Sequence, residues 1–227
     1  MGKVLEVKTS IFVYMALAIS ACGPLAQDEP VSRALEIIAV PLLDVGVSSD
    51  VSAEDQRGPV LNRAAIEAAE TELALFATVE TDVVALTRLA AENGDKTTWM
   101  TNDGIALTLK NGLLVATRSL GDDLMGADIS GVERAIARQG RTYTRVHDFL
   151  NGNDQIERLS FRCTLASEGP EQITVVELSY QTVLYSESCI GDALQFENRY
   201  WVESSGVIRQ ARQWVSPGVG QVDYQKL

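Results

Sequence analysis

Few side chains in this sequence stand in a spacing that does chemistry. One histidine, His147, sits between Val146 and Asp148 in an alternating, strand-like stretch. As a general base it needs an orienting carboxylate and a nucleophile within reach. Asp148 is its neighbour in sequence, and neighbours on a strand point to opposite faces. The expectation is therefore a partly exposed strand histidine. Glycosidases use two carboxylates roughly 5–9 Å apart. With 31 acidic residues, among them Asp122, Asp123, Glu197 and Glu203, some such pair is inevitable and says nothing. The chain has no Gly-x-Ser-x-Gly elbow and no Gly-rich lysine loop for phosphate. No catalytic residue is assigned and no cofactor is expected. With one imidazole and no CxxC, no metal site is expected either.

The three cysteines carry more information. Cys22 follows a basic start with Lys3 and Lys8 and an apolar run of 11 residues, Ile11–Ala21. That run is too short to span a bilayer, which needs about 20 apolar residues. A charged start, a short apolar core and small residues before a cut site describe a signal peptide, residues 1–21. Ile19-Ser20-Ala21-Cys22 looks like a bacterial lipobox. The alternative is an ordinary signal that happens to contain a cysteine. In proteins with the box, the cysteine thiol takes a diacylglycerol and becomes the first residue. Each buried CH₂ contributes about 0.8 kcal/mol, so two or more acyl chains hold a protein on a membrane. Gly23 is not the aspartate associated with inner-membrane retention in enteric bacteria. The expected location is the periplasmic face of the outer membrane.

Setting Cys22 aside leaves Cys163 and Cys189, an even pair in an oxidising compartment. Both lie in extended patterns that antiparallel neighbours can bring together. A bridge would contribute about 3.5 kcal/mol on the loop-entropy account, which is disputed. Two buried free thiols are the other reading. Among the aromatics, Trp99, Tyr200, Trp201 and Trp214 are candidates for stacking on a glycan or for burial at a partner interface. Core or barrel-end packing explains them as well.

The elements that hold these residues read as mainly β. Residues 22–58 are expected to be a lipidated tether and flexible N-terminal segment, and 59–227 a single globular domain. Pro59–Leu75 is the best helix, with proline at its start and Leu61, Ala65, Ala68 and Leu73 roughly on one face. Gly131–Gln139 is a second, short helix, and Gly121–Gly126 a loop. Asn111-Gly112 between strand-like runs marks the clearest hairpin, Ile105–Ser119. From Arg141 a meander follows: Arg141–Leu150, Ile156–Ser167, Gln172–Glu187, Leu194–Glu203 and Val207–Pro217. Glu168-Gly-Pro-Glu171 and Ser204-Ser-Gly206 are among the turns between them. The expected architecture is a large antiparallel sheet of roughly eight strands, curved or barrel-like, with one or two N-terminal helices packed on it.

Composition bounds the partners. The chain has 227 residues, a formal charge of −12, 46% hydrophobic and 22% charged residues. It reads as globular, and its acidity argues against nucleic acid and against electrostatic docking on anionic lipid. Loss of Lys3, Lys8 and Glu6 with the signal leaves the body more acidic still.

Two stretches resemble the YjbF and GfcB family, lipoproteins of group 4 capsule and related exopolysaccharide operons. The first is Trp99–Thr117 (WMTNDGIALTLKNGLLVAT), a tryptophan strand running into a hairpin. The second is Phe196–Trp214 (FENRYWVESSGVIRQARQW), similar to the family's Phe-x-Asn-x-Tyr-Trp strand, glycine turn and Gln-Trp strand. Between Thr117 and Leu124 the turn departs from the family pattern, because its glycine has moved to Gly121. Cys163 and Cys189 also sit where family cysteines are expected. The resemblance covers roughly 75–227 and the lipobox. It implies a role in capsular or exopolysaccharide secretion, beside an outer-membrane barrel, other periplasmic proteins and the polysaccharide. It carries no catalytic residues. Three functions compete: a non-catalytic accessory, a lipid- or glycan-binding carrier on a curved sheet, and a glycan-modifying enzyme.

Overall fold

The computed structural model describes residues 61–227 except 82, 139–141, 151, 152 and 154. Cys22, the signal segment and the tether lie outside these residues. Twelve strands form one antiparallel sheet that nearly closes on itself. They are β1 (Leu73–Thr78), β2 (Val83–Asn93), β3 (Lys96–Met100), β4 (Ala106–Lys110), β5 (Leu113–Arg118), β6 (Leu124–Asp128), β7 (Thr142–Leu150), β8 (Ile156–Val175), β9 (Leu178–Ile190), β10 (Gln195–Glu203), β11 (Ile208–Ser216) and β12 (Gly220–Lys226). Two short helices join them, α1 (Arg63–Glu67) and α2 (Ser130–Arg138). No helix among the described residues is long and apolar enough to cross a membrane.

The topology is a meander in which β12 returns beside β1. The open seam lies between β5 and β6, which are consecutive in the chain. Side chains bridge it. Thr117 Oγ1 accepts from Leu124 N at 2.9 Å and donates to Asp123 Oδ1 at 2.8 Å. Gln213 on β11 reaches across to β5, accepting from Leu114 N at 2.8 Å and donating to Gly112 O at 2.9 Å. These bonds satisfy buried backbone groups that a continuous ladder would otherwise pair.

Several expectations change. Helix α1 ends at Glu67, and β1 begins at Leu73, inside the stretch read as helix. The helix is capped by Asn62, whose Oδ1 accepts from Ala65 N at 2.8 Å. Beyond it, Leu73–Thr78 pairs with both β2 and β12, so tertiary pairing overrides the helix propensity of an Ala- and Glu-rich run. The second helix is an insertion between β6 and β7. Strand β8 runs straight through Glu168-Gly-Pro-Glu171 with a bulge between Ser167 and Gly169. Pro170 is tolerated because β7 ends its pairing at Thr164, so the missing N–H faces no partner there. The turn lies instead at Val176-Glu177, where both residues adopt positive φ, 38° and 67°. β6 begins at Leu124 inside the expected loop, and β12 follows Pro217. Asn111 and Gly112 do make the expected hairpin turn, with φ of 51° and 82°.

Two apolar clusters result. The larger fills the sheet interior, with Phe76, Trp99, Leu114, Phe161, Tyr200 and Trp214 among its members. The smaller lies under the β8–β9 hairpin tip, where Ile173, Val175 and Trp201 pack with Leu61 and Ile66 beside α1.

Candidate functional site

The chemically distinctive part of the interior is a buried polar cluster. Strand alternation sends Tyr143, Arg145, His147 and Phe149 of β7 to one side. Facing them from β9 and β10 are Glu187, Asn198 and Tyr200. Arg145 Nη1 donates to Glu187 Oε2 at 2.9 Å and Oε1 at 3.2 Å. Glu187 also accepts from Tyr143 (2.8 Å), Tyr200 (2.6 Å) and Asn198 Nδ2 (2.6 Å). Asn198 uses its oxygen to accept from Trp214 N at 2.7 Å, where the β10–β11 ladder has stopped. Arg145, His147, Glu187, Asn198 and Tyr200 are all sealed from solvent.

The electrostatics follow from this wiring. Burial alone would raise the Glu187 pKa. The Arg145 charge and the bonds from Tyr200, Asn198 and Tyr143 outweigh it and hold the carboxyl below its ordinary range. Burial and then the Glu187 charge push the Tyr143 and Tyr200 phenols far up. His147 is lowered well below 6.5, first by burial and then by the Arg145 charge. Its Nε2 accepts from Arg145 Nε at 2.9 Å, so the proton of the neutral ring sits on Nδ1. That Nδ1 and Arg145 Nη2 have no hydrogen-bond partner.

His147 is thus fully buried, not partly exposed. Its ring stacks on Trp214 (5.6 Å, 13°) and Phe196 (5.7 Å, 20°), with Phe149 and Phe161 edge-on. Asp148 does point away, to a bidentate pair with Arg158 at 2.7 and 2.8 Å. Three of the acids noted in the sequence have structural partners: Asp123 caps the β5–β6 loop, Asp122 Oδ2 accepts from Gly218 N, and Glu203 pairs with Arg209.

Cys163 and Cys189 face each other across β8 and β9 and are bonded. With Glu187 they form the one group of three ligand-type residues close enough for a metal among the described residues. Both sulfurs are spent on the disulfide, and the Glu187 oxygens already accept from four side chains. The residues as they stand offer a metal no open ligand set.

The four aromatic candidates are buried. Trp99 donates to Thr97 Oγ1 at 3.1 Å. Trp214 stacks on Phe196 at 4.5 Å. Tyr200 points inward to the charge cluster, and Trp201, its neighbour, points to the second apolar cluster and donates to Glu171 Oε1 at 3.0 Å. All four pack inside the protein rather than offering a ring face to solvent. Sequence reading missed Arg145, Glu187 and Asn198. The available signal was the two-residue period linking Arg145 to His147 and Phe149, which places a cation on an apolar face.

The profile of the family described as "Group 4 capsule polysaccharide lipoprotein gfcB, YjbF" matches residues 43–227. The chain belongs to this family. A relative is the "Uncharacterized lipoprotein YjbF" of Escherichia coli strain K12, 26% identical over 129 residues. That match takes in 55% of this chain and 60% of the relative, so the chain spans less than two thirds of it. The crystal structure of the hypothetical lipoprotein YmcC from Escherichia coli K12 has the same fold, with a TM-score of 0.65 at 21% identity. The overlap covers 78% of this chain and 96% of that one.

Proposed function

We propose that this protein is a lipid-anchored accessory in the secretion or assembly of a capsular or exopolysaccharide, with no catalytic turnover of its own. Family membership over residues 43–227 carries the proposal, because the family description couples a lipoprotein to capsule polysaccharide. Cys22 is the anchor, and Gly23 after it favours the outer membrane's periplasmic face. An outer-membrane barrel and periplasmic proteins of the same system are the natural partners.

The interior supports this over lipid carriage. A carrier needs an apolar hollow, and here a ring stack and an ion pair occupy the middle of the sheet. The test is secreted polymer from a deletion strain, complemented with the wild-type chain or with Cys22→Ser. Incubating the purified protein with that polymer tests the enzyme alternative: release of fragments would overturn the non-catalytic reading.

A further inference from the structure

The outer face of β7, β8 and β9 carries a groove of about 490 Å³. Register builds it. Thr144 stands beside Arg162, Arg162 beside Ile190, and Thr164 beside Ser188. These positions face outward because Arg145, Phe161, Cys163 and Cys189 take the inward ones. β9 leaves the sheet after Ile190, where Gly191 N donates to Leu194 O at 2.8 Å. β8 runs on without it, so Ile156–Phe161 pairs with β7 alone. The chain hugs β8 as it leaves: a Cβ on Gly191 would lie 2.8 Å from Phe161 Cδ1 and 3.3 Å from Ser160 O. A notch remains, within the roughly 300–1,000 Å³ range of small-ligand sites.

The chemistry of the notch is mixed in a particular way. Thr144, Thr164, Ser160 and Ser188 bring hydroxyls, and Ile190, 60% exposed, brings an apolar patch. Arg162 and Asp192 line the same groove, and neither joins an ion pair among the described residues. An unpaired guanidinium is a fork for a carboxylate. A carboxylate and several hydroxyls nearby suit the many hydroxyls of a sugar ring. At a net charge of −12 the protein repels polyanions at long range, so accepting an acidic ligand needs a dedicated cation at the contact.

We propose that this groove binds an anionic saccharide, with a sugar carboxylate on Arg162 and sugar hydroxyls on Asp192 and the neighbouring serines and threonines. This rests on the polysaccharide reading above and names the surface that meets the polymer.

The test is calorimetric titration of the full-length lipidated protein in detergent, with trigalacturonate against maltotriose, a neutral sugar of equal length. Trigalacturonate should bind at least about tenfold more tightly, a difference of about 1.4 kcal/mol. Arg162→Gln should abolish that preference. Arg162→Lys, which keeps charge without the fork, should retain part of it. Arg199→Gln, an exposed arginine on β10, should leave it intact. Trigalacturonate that fails to bind, or binds Arg162→Gln equally well, overturns the proposal. So does a protein strand cross-linked through Ser160→Cys when no saccharide binds, since the β8 edge would then belong to a polypeptide. The titration reads the groove and the deletion strain reads polymer export, so either can fail alone.

Discussion

Arg145 and Glu187 meet inside the sheet with Nη1 2.9 Å from Oε2, their side chains 1% and 0% exposed. Removing one partner leaves the other charge buried without compensation. Glu187→Gln keeps the shape but strands the guanidinium, and should lower unfolding stability by about 3–5 kcal/mol. Urea denaturation measures this. A change under about 1 kcal/mol would show that the pair is not what the interior depends on.

The pH dependence has two limbs. The folded pKa of His147 lies well below 6.5, so below about 6.5 the unfolded chain takes up a proton that the folded chain refuses. Stability is full above that pH and falls as the pH drops, by up to about 1.4 kcal/mol per unit. Glu187 adds a separate loss at lower pH, because its depressed folded pKa holds its contribution until the pH falls below the ordinary carboxylate value of 4.5. His147→Gln can still accept from Arg145 Nε, and should flatten the limb between about pH 6.5 and 5 while leaving the lower limb. Urea midpoints across this range decide it; an unchanged slope in the variant contradicts the assignment to His147.

The disulfide should matter as a constraint on the unfolded chain. Cys163 and Cys189 are 26 residues apart, and replacing both by alanine should remove about 3.5 kcal/mol. Thermal melts with and without reductant should show the same shift for the wild type and none for the double variant.

Gly131 in α2 packs directly on Tyr143. An added Cβ would stand 2.8 Å from Tyr143 Cγ, so the ring must move. Because the Tyr143 hydroxyl donates to Glu187, Gly131→Ala should loosen the charge cluster as well and lose about 1–3 kcal/mol. Gly126→Ala is the comparison, since nothing lies within 4 Å of its Cβ position. Equal melting temperatures for the two variants would contradict the contact.

The Asn111-Gly112 hairpin and the strands of the meander were legible because turn chemistry and two-residue alternation are local signals. Pairing was not. Leu73 and Ala74 end a helix-favouring run and join β1 because β2 and β12 lie against them, and no local pattern announces those neighbours. Glu168-Gly-Pro-Glu171 carries turn residues, yet Gly169 makes a bulge and Pro170 an edge. His147 was visible as a residue, but its burial depends on Phe196 and Trp214 from distant strands. Arg145 was readable from alternation, whereas Glu187 as its partner follows only from the order of β7, β8, β9 and β10.

Tethering through Cys22 is what should let this chain support polymer export. Secreted polysaccharide from a deletion strain measures it most directly, with wild type and Cys22→Ser supplied in turn at equal abundance. The deletion should lose polymer, and only the wild-type chain should restore it. Unchanged polymer in the deletion, or full restoration by Cys22→Ser, would contradict it.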